Sequence, residues 1–354
     1  MKKAKKMIGV FTICLFAVVS LFGCSKALEP TEITVDATNA KYFYVSGNEI
    51  DPAGLVITAI SPDGSQKPIP ASACTFDKPA FAPYGEKEVV VHYGELTASY
   101  PIYTCPSSTE TDTYTTYTVH VNENGSRVTL TASLVGEDKP FVLIFPGGGY
   151  AAVYMRQEGY DYAAEINRLG FNAFILEYSV NMEHPAPLDD VNVAYEIIEQ
   201  NKDFFHVSMD NYAVCGSSAG GHLAATWSSN TVGAAHYGKP RPAAAILAYA
   251  STHIYDDSRS NLIGENASDE RKRSLSADEN VDADYPPTYN WVFVEDETVA
   301  VHTQLMETAL EKAGVPHITR YFVGGRHGLG LAEGTEAYGW MEEAIAFWQE
   351  NSAK

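Results

Sequence analysis

The 354-residue chain is short of positive charge: 24 Lys and Arg stand against 45 Asp and Glu, a formal net charge of −21. A surface of that sign repels polyanions, which argues against nucleic acid as a partner and gives no electrostatic grip on an anionic membrane. Cysteine is scarce as well, with five in the whole chain. No two are spaced as CxxC, and no HExxH pattern occurs, so no metal site is indicated and no cofactor is expected. Long apolar runs are missing apart from one at the start. Apolar residues still make up 45% of the chain, enough for an ordinary folded core, and the length allows about two domains.

The one apolar run belongs to targeting. Lys2, Lys3, Lys5 and Lys6 precede an apolar stretch over residues 7–22, shorter than the ~20 apolar residues of a spanning helix. It ends in Leu21-Phe22-Gly23-Cys24, which resembles the bacterial lipoprotein box. The resemblance implies cleavage after Gly23 and a lipid on Cys24. Residues 1–23 are therefore read as a signal peptide and 24–31 as a short stalk. Membrane contact is expected only through that lipid, at the extracellular face of a bacterial cell membrane, the alternative being an ordinary secretory signal and a secreted chain. Losing residues 1–23 would leave 20 basic against 45 acidic residues, a net charge of −25. Of the other cysteines, Cys74 and Cys105 are free to pair in an oxidising compartment, though nothing in their spacing requires it. Cys215 reads as a small core residue.

Residues 32–105 read as all-β. Short β-prone runs lie at 33–35, 42–45, 55–59, 89–93 and 98–102, separated by the turn-formers Ser46-Gly47-Asn48, Pro62-Asp63-Gly64 and Pro83-Tyr84-Gly85. Such a pattern predicts a small β-sandwich. The stretch from Tyr44 to Leu55, with Pro62-Asp63-Gly64-Ser65 after it, resembles bacterial immunoglobulin-like repeats, which implies a spacer or a weak carbohydrate or wall contact. Residues 106–113 read as a Ser/Thr-rich linker. From 114 to 354 strands alternate with helices. A hairpin is expected at 115–134 around Asn124-Gly125, further strands at 141–145, 171–178, 212–215, 243–249, 291–294 and 318–323, and helices at 160–169, 188–200, 218–227, 303–313 and 336–350. That alternation predicts a mostly parallel sheet covered on both faces.

Four short segments in this region carry chemistry. Gly216-Ser217-Ser218-Ala219-Gly220 follows an apolar strand and opens a small-residue helix, the strand–turn–helix context of a nucleophile elbow. The pattern centres on Ser218, with Ser217 as the rival nucleophile. Gly147-Gly148-Gly149 ends the 141–145 strand, and a backbone without side chains can turn N–H groups towards a carbonyl oxygen. The amides of Gly148 and Gly149, joined by Ala219, are the candidate oxyanion hole. Glu295-Asp296-Glu297 supplies an acid at a strand end, and spacing alone does not choose among the three. His327 sits in the loop Gly324-Gly325-Arg326-His327-Gly328, where an imidazole could reach the serine. His222 and His184 are read as packing and loop-shaping residues.

The order Ser218, Asp296, His327 is that of α/β-hydrolases. Asp296 is the preferred acid because Asp-x-x-Val resembles their acid loop. From Pro140 onward the chain resembles the acetyl-xylan-esterase-like and hormone-sensitive-lipase-like esterases of that fold, on Pro146-Gly147-Gly148-Gly149-Tyr150, His184-Pro185-Ala186-Pro187, Gly216-Ser217-Ser218-Ala219-Gly220-Gly221-His222, Asp296-Glu297-Thr298-Val299 and Gly325-Arg326-His327-Gly328. Two positions depart from the pattern. Pro146 stands where a histidine is usual, so the oxyanion loop must be braced differently, and Ala300 stands where proline is common. The resemblance implies ester hydrolysis through an acyl-enzyme; an exported lipoprotein with an immunoglobulin-like spacer suits a glycan-degrading surface enzyme, so an acylated plant polysaccharide such as acetylated xylan is the expected substrate. Residues 253–289 are expected to form a lid or substrate wall. The competing readings are a prolyl-oligopeptidase-type serine peptidase and a non-catalytic carbohydrate-binding surface adhesin.

Overall fold

The computed structural model describes residues 28–254 and 260–352. The expected signal peptide and Cys24 lie outside the described residues. Seven strands come first: β1 (Glu32–Asp36), β2 (Phe43–Val45), β3 (Val56–Ile60), β4 (Gln66–Ile69), β5 (Thr75–Phe76), β6 (Gly85–Tyr93) and β7 (Leu96–Cys105). They form a three-stranded sheet, β1-β3-β4, and a four-stranded sheet, β2-β7-β6-β5. Alternating inward residues close a core between them, including Ile33, Ile57, Val89, Val91, Tyr100 and Ile102. The expected sandwich is present. Strands β4 and β5 escape sequence reading because β4 carries Pro68 and mostly exposed polar residues, and β5 has only two residues. Cys74 and Cys105 are both free thiols, and burial pushes the Cys105 thiol up to about 12.

The second layer system begins where a linker was expected. Ser107–Glu110 is a strand, β8, paired antiparallel with β9 (Thr115–Val121). Its polar residues read as a linker because none of the four is buried, so this edge strand carries no apolar alternation. β9 and β10 (Arg127–Ser133) form the expected hairpin. Next come β11 (Phe141–Phe145), helix α1 (Asp161–Arg168), β12 (Asn172–Glu177) and α2 (Ala186–Gln200). The short α3 (Lys202–Phe205) leads to β13 (Ala213–Ser217), α4 (Ser218–Trp227) and β14 (Ala244–Ala248). Two short helices, α5 (Ser260–Ile263) and α6 (Asp269–Leu275), precede β15 (Thr288–Phe293), and α7 (Ala300–Ala313), β16 (His317–Phe322) and α8 (Trp340–Ser352) complete the domain. The nine strands run in the order β16-β15-β14-β13-β11-β12-β10-β9-β8. The six from β16 to β12 are parallel, and their middle strands are buried on both faces, as crossover helices require.

The sandwich is not a free bead on a string. Gln200 Oε1, at the end of α2, accepts the backbone N–H groups of Tyr42 and Phe43, both at 2.8 Å, and Asn201 Nδ2 donates to the Phe43 carbonyl at 3.2 Å. Phe43, Val45 and Cys105 share one buried apolar cluster with Phe205 and Val207 of the large domain. Replacing Gln200 by alanine leaves the buried Phe43 amide without its acceptor. The expected cost is about 1–3 kcal/mol, seen as a lower urea midpoint; an unchanged midpoint would show that this contact does not hold the two parts together.

Candidate active site

Strand β13 is buried throughout and stops at Ser217, and α4 starts at the next residue. Ser218 sits at the junction with φ of +52°, a left-handed conformation that a β-carbon disfavours and that only surrounding structure can hold. The flanking glycines are steric requirements. A β-carbon on Gly216 would lie 2.2 Å from the Gly220 carbonyl oxygen, and one on Gly220 would lie 1.9 Å from the Phe145 carbonyl oxygen. The elbow is thereby pressed against the end of β11, where the glycine run begins.

Ser218 Oγ donates to His327 Nε2 at 2.8 Å, and His327 Nδ1 donates to Asp296 Oδ2 at 2.7 Å. The three residues come from the ends of three different strands, 31 and more residues apart in sequence. Asp296 is only 3% exposed, and its Oδ1 accepts the Thr298 N–H at 3.1 Å. The edge-to-face ring of Tyr249, centroids 5.2 Å apart, steadies the imidazole from one side. Geometry thus separates the three adjacent acids. Glu295 is exposed and instead accepts the Gly324 N–H at 3.0 Å, tying the acid loop to the histidine loop. Glu297 is exposed. Ser217 is fully buried, and its hydroxyl is 2.8 Å from the Tyr162 hydroxyl. Burial pushes the Cys215 thiol well up, as suits a core residue.

The glycine run lies against Ser218: a β-carbon on Gly147 would be 3.0 Å from Ser218 Cβ. Gly148 and Gly149 have φ of +142° and +65°, which only glycine adopts without cost. The Gly147 amide donates to Glu158 Oε2 at 2.7 Å. The amides of Gly148, Gly149 and Ala219 have no acceptor among the described residues, so they are the donors left to meet a negative oxygen beside Ser218. Pro146, in the place of the usual histidine, has its carbonyl held by the Tyr178 hydroxyl at 2.7 Å. His222 donates from Nε2 to the Leu275 carbonyl and meets the Tyr150 hydroxyl at Nδ1. With His184 it lines a small apolar pocket away from Ser218.

Gly148, Gly149, Ser218 and His327 face an open cleft of about 490 Å³ whose rim includes Tyr154, Gln157, Thr298 and Arg326. Its walls come from the turn after the glycine run and from the histidine loop. The described part of the 253–289 segment, expected as a substrate wall, reaches the site instead through Asn261, whose Nδ2 donates to the Gly149 carbonyl at 3.1 Å. Sequence reading missed Glu158, Tyr162 and Tyr249. Glu158 lies in a single π-helical turn (Met155–Tyr160), a feature that has no local motif and marks functional sites more often than chance.

Residues 142–285 match the family described as alpha/beta hydrolase fold, and residues 37–103 match the bacterial Ig-like domain, group 3. The chain is similar to endo-1,4-beta-xylanase B of Butyrivibrio fibrisolvens, with 30% identity over 215 residues that cover 56% of this chain and 34% of that protein. It is also similar to an acetylxylan esterase of Xylanibacter ruminicola, 28% identical over 85 residues, or 24% of this chain and 18% of the relative. The chain therefore spans about a third or less of the curated relatives it matches. Among solved structures, an acetyl ester-xyloside bifunctional hydrolase from Caldicellulosiruptor lactoaceticus superposes with a TM-score of 0.58 and 28% identity, covering 65% of this chain and 93% of its own. The chain thus has an α/β-hydrolase fold behind an Ig-like domain.

Labelling by a fluorophosphonate, which reports the nucleophilicity of Ser218, separates the acids. Asp296→Asn is expected to slow it by about 10⁴-fold, because the imidazole loses its orienting acceptor. Glu295→Gln should leave the rate within a few-fold. The reverse result would move the role to Glu295.

Proposed function

We propose that this α/β-hydrolase-fold chain is a carboxylic-ester hydrolase that removes acetyl groups from xylan or a related esterified polysaccharide, exported and held at the cell surface by a lipid on Cys24. The observation that carries the catalytic part is the continuous relay Ser218–His327–Asp296 beside three amides with no acceptor among the described residues. Ser218 Oγ attacks the ester carbonyl while His327 Nε2 takes its proton. Asp296 holds the imidazolium, and the amides of Gly148, Gly149 and Ala219 receive the developing oxyanion. His327 then returns the proton to the departing alcohol. Water, deprotonated by His327, attacks the acyl-Ser218 carbonyl; the acyl–Oγ bond breaks, His327 returns the proton to Ser218 Oγ, and the carboxylic acid leaves.

The substrate side of the reading rests on the cleft and on likeness. Its volume lies within the roughly 300–1,000 Å³ usual for small-molecule sites. Its rim offers a 62%-exposed tyrosine, Tyr154, next to Gln157, Thr298 and Arg326. An aromatic face beside hydrogen-bonding groups suits a hydrated sugar ring more than a long acyl chain. The names borne by the relatives, an acetylxylan esterase and a xylanase, support the same choice. Export and the lipid anchor rest on the N-terminal sequence pattern alone.

Purified protein should hydrolyse p-nitrophenyl acetate and release acetate from acetylated xylan, with rates falling as the acyl chain lengthens. Ser218→Ala should lower turnover by about 10⁶-fold. Cleavage of a dipeptidyl anilide with no turnover of either ester would overturn the reading in favour of a peptidase. Binding to xylan with no turnover of any substrate would favour an adhesin.

A further inference from the structure

Glu158 is a buried carboxylate that the relay does not use. It is 3% exposed, beneath the glycine run, and both its oxygens are engaged. Oε2 accepts the Gly147 N–H at 2.7 Å, and Oε1 accepts the Tyr249 hydroxyl at 2.7 Å. Tyr249 accepts in turn from the Gly330 N–H at 3.0 Å, three residues beyond His327, and lies 3.2 Å from the Tyr162 hydroxyl. Tyr162 meets Ser217 Oγ, next to the nucleophile, at 2.8 Å. With Tyr249 donating to the carboxylate, its neighbour Tyr162 must donate to Tyr249, and Ser217 to Tyr162. One directed chain therefore joins the elbow, the histidine loop and the oxyanion loop, and it terminates on Glu158.

Resting on the esterase reading, we propose that Glu158 is the positioning residue of the oxyanion hole, doing for this chain what a loop histidine would do at Pro146. Pro146 lacks a donor side chain, and the peptide after it needs an acceptor for the Gly147 N–H. Glu158 supplies one, which fixes that peptide plane and so the direction of the two amides that follow. The π-helical turn is what aims the carboxylate there. Close approach is built in, since a β-carbon on Gly147 would lie 2.6 Å from Glu158 Oε2.

Burial raises the Glu158 carboxyl above the usual carboxylate range, against the lowering effects of the Tyr249 hydroxyl, the Gly147 amide and His327. The folded protein therefore holds this proton longer than the unfolded chain does. Ionising Glu158 costs stability as pH rises through and beyond the ordinary carboxylate range. An anion near the oxyanion also opposes it, but the imidazolium that forms on His327 in the same step offsets that repulsion. A residue kept at such a cost is expected to serve catalysis rather than folding.

The test compares wild type, Glu158→Gln and Glu158→Leu, with kcat expressed per serine titrated by a fluorophosphonate and with a boronate as transition-state analogue. Glu158→Leu should lower kcat by about a hundred-fold, the scale of losing one oxyanion donor, with KM for p-nitrophenyl acetate little changed. Boronate affinity should fall in step with kcat/KM. Glu158→Gln should lower kcat less, while its Tm at pH 8 stays level or rises because a buried charge is gone. A structural brace alone would lower Tm and leave kcat per titrated serine unchanged, and that outcome overturns the proposal. Should the Leu variant not fold, Tyr249→Phe keeps the ring against His327 and removes one contact to Glu158. It should lower kcat by roughly tenfold, in line with the net worth of one charged hydrogen bond; an unchanged kcat there also overturns the proposal. A wild type that neither turns over ester nor takes the fluorophosphonate overturns the esterase reading itself, whereas an active wild type with indifferent variants overturns only the role of Glu158.

Discussion

The close passage of the Gly220 backbone against the carbonyl of Phe145 is the constraint on which the site depends. It leaves no room for a side chain at Gly220, and the Gly220 carbonyl in turn leaves none at Gly216. Because β11 and β13 are adjacent parallel strands, this contact sets the glycine run beside the helix start. Ser218 is forced to positive φ at that point, so its hydroxyl projects above the sheet edge rather than into α4. The strain is held by buried strands on both sides, which is how a folded core can store a conformation that an isolated peptide would abandon.

A second constraint follows from the first. Packing an oxyanion loop this tightly against a buried elbow takes backbone polar groups away from water, and each then needs a partner. Three side chains answer for the loop: the Tyr178 hydroxyl holds the Pro146 carbonyl, Glu158 takes the Gly147 amide, and Asn261 donates to the Gly149 carbonyl. The amides of Gly148 and Gly149 meet no acceptor among the described residues, and the cleft in front of them is where an incoming carbonyl can satisfy them. Polar bookkeeping thus distinguishes the donor already engaged within the fold from those open to the proposed oxyanion. The same logic explains why Tyr162 and Tyr249, both fully buried, carry hydroxyls at all: they pass the network on between loops that share no sequence neighbourhood.

Much of this was legible beforehand. The alternation of strands and helices showed the parallel sheet, because crossover topology leaves strands with continuous apolar runs such as Phe141-Val142-Leu143-Ile144-Phe145. Glycine marked both special turns for different reasons: Gly148 and Gly149 take positive φ, whereas Gly216 and Gly220 sit where a β-carbon has no room. Polar strands were harder: β8 reads as a linker, because Ser and Thr serve an exposed edge as readily as a loop. The choice among Glu295, Asp296 and Glu297 could not be made by spacing. All three sit at one strand end, and only the turn that buries Asp296 and exposes its neighbours sets Asp296 alone of the three against His327.

By itself, then, the sequence determined which backbone could turn sharply, where strands and helices alternate, and which serine and histidine stand at strand ends. These are local properties, written in residue type and period. Tertiary structure alone decided what replaces the missing histidine at Pro146. Glu158 lies eleven residues from Gly147, Tyr249 another ninety-one beyond, and no local pattern relates them. They meet because the sheet brings β11, β13 and β14 side by side, and because buried polar atoms must find partners wherever the fold provides them.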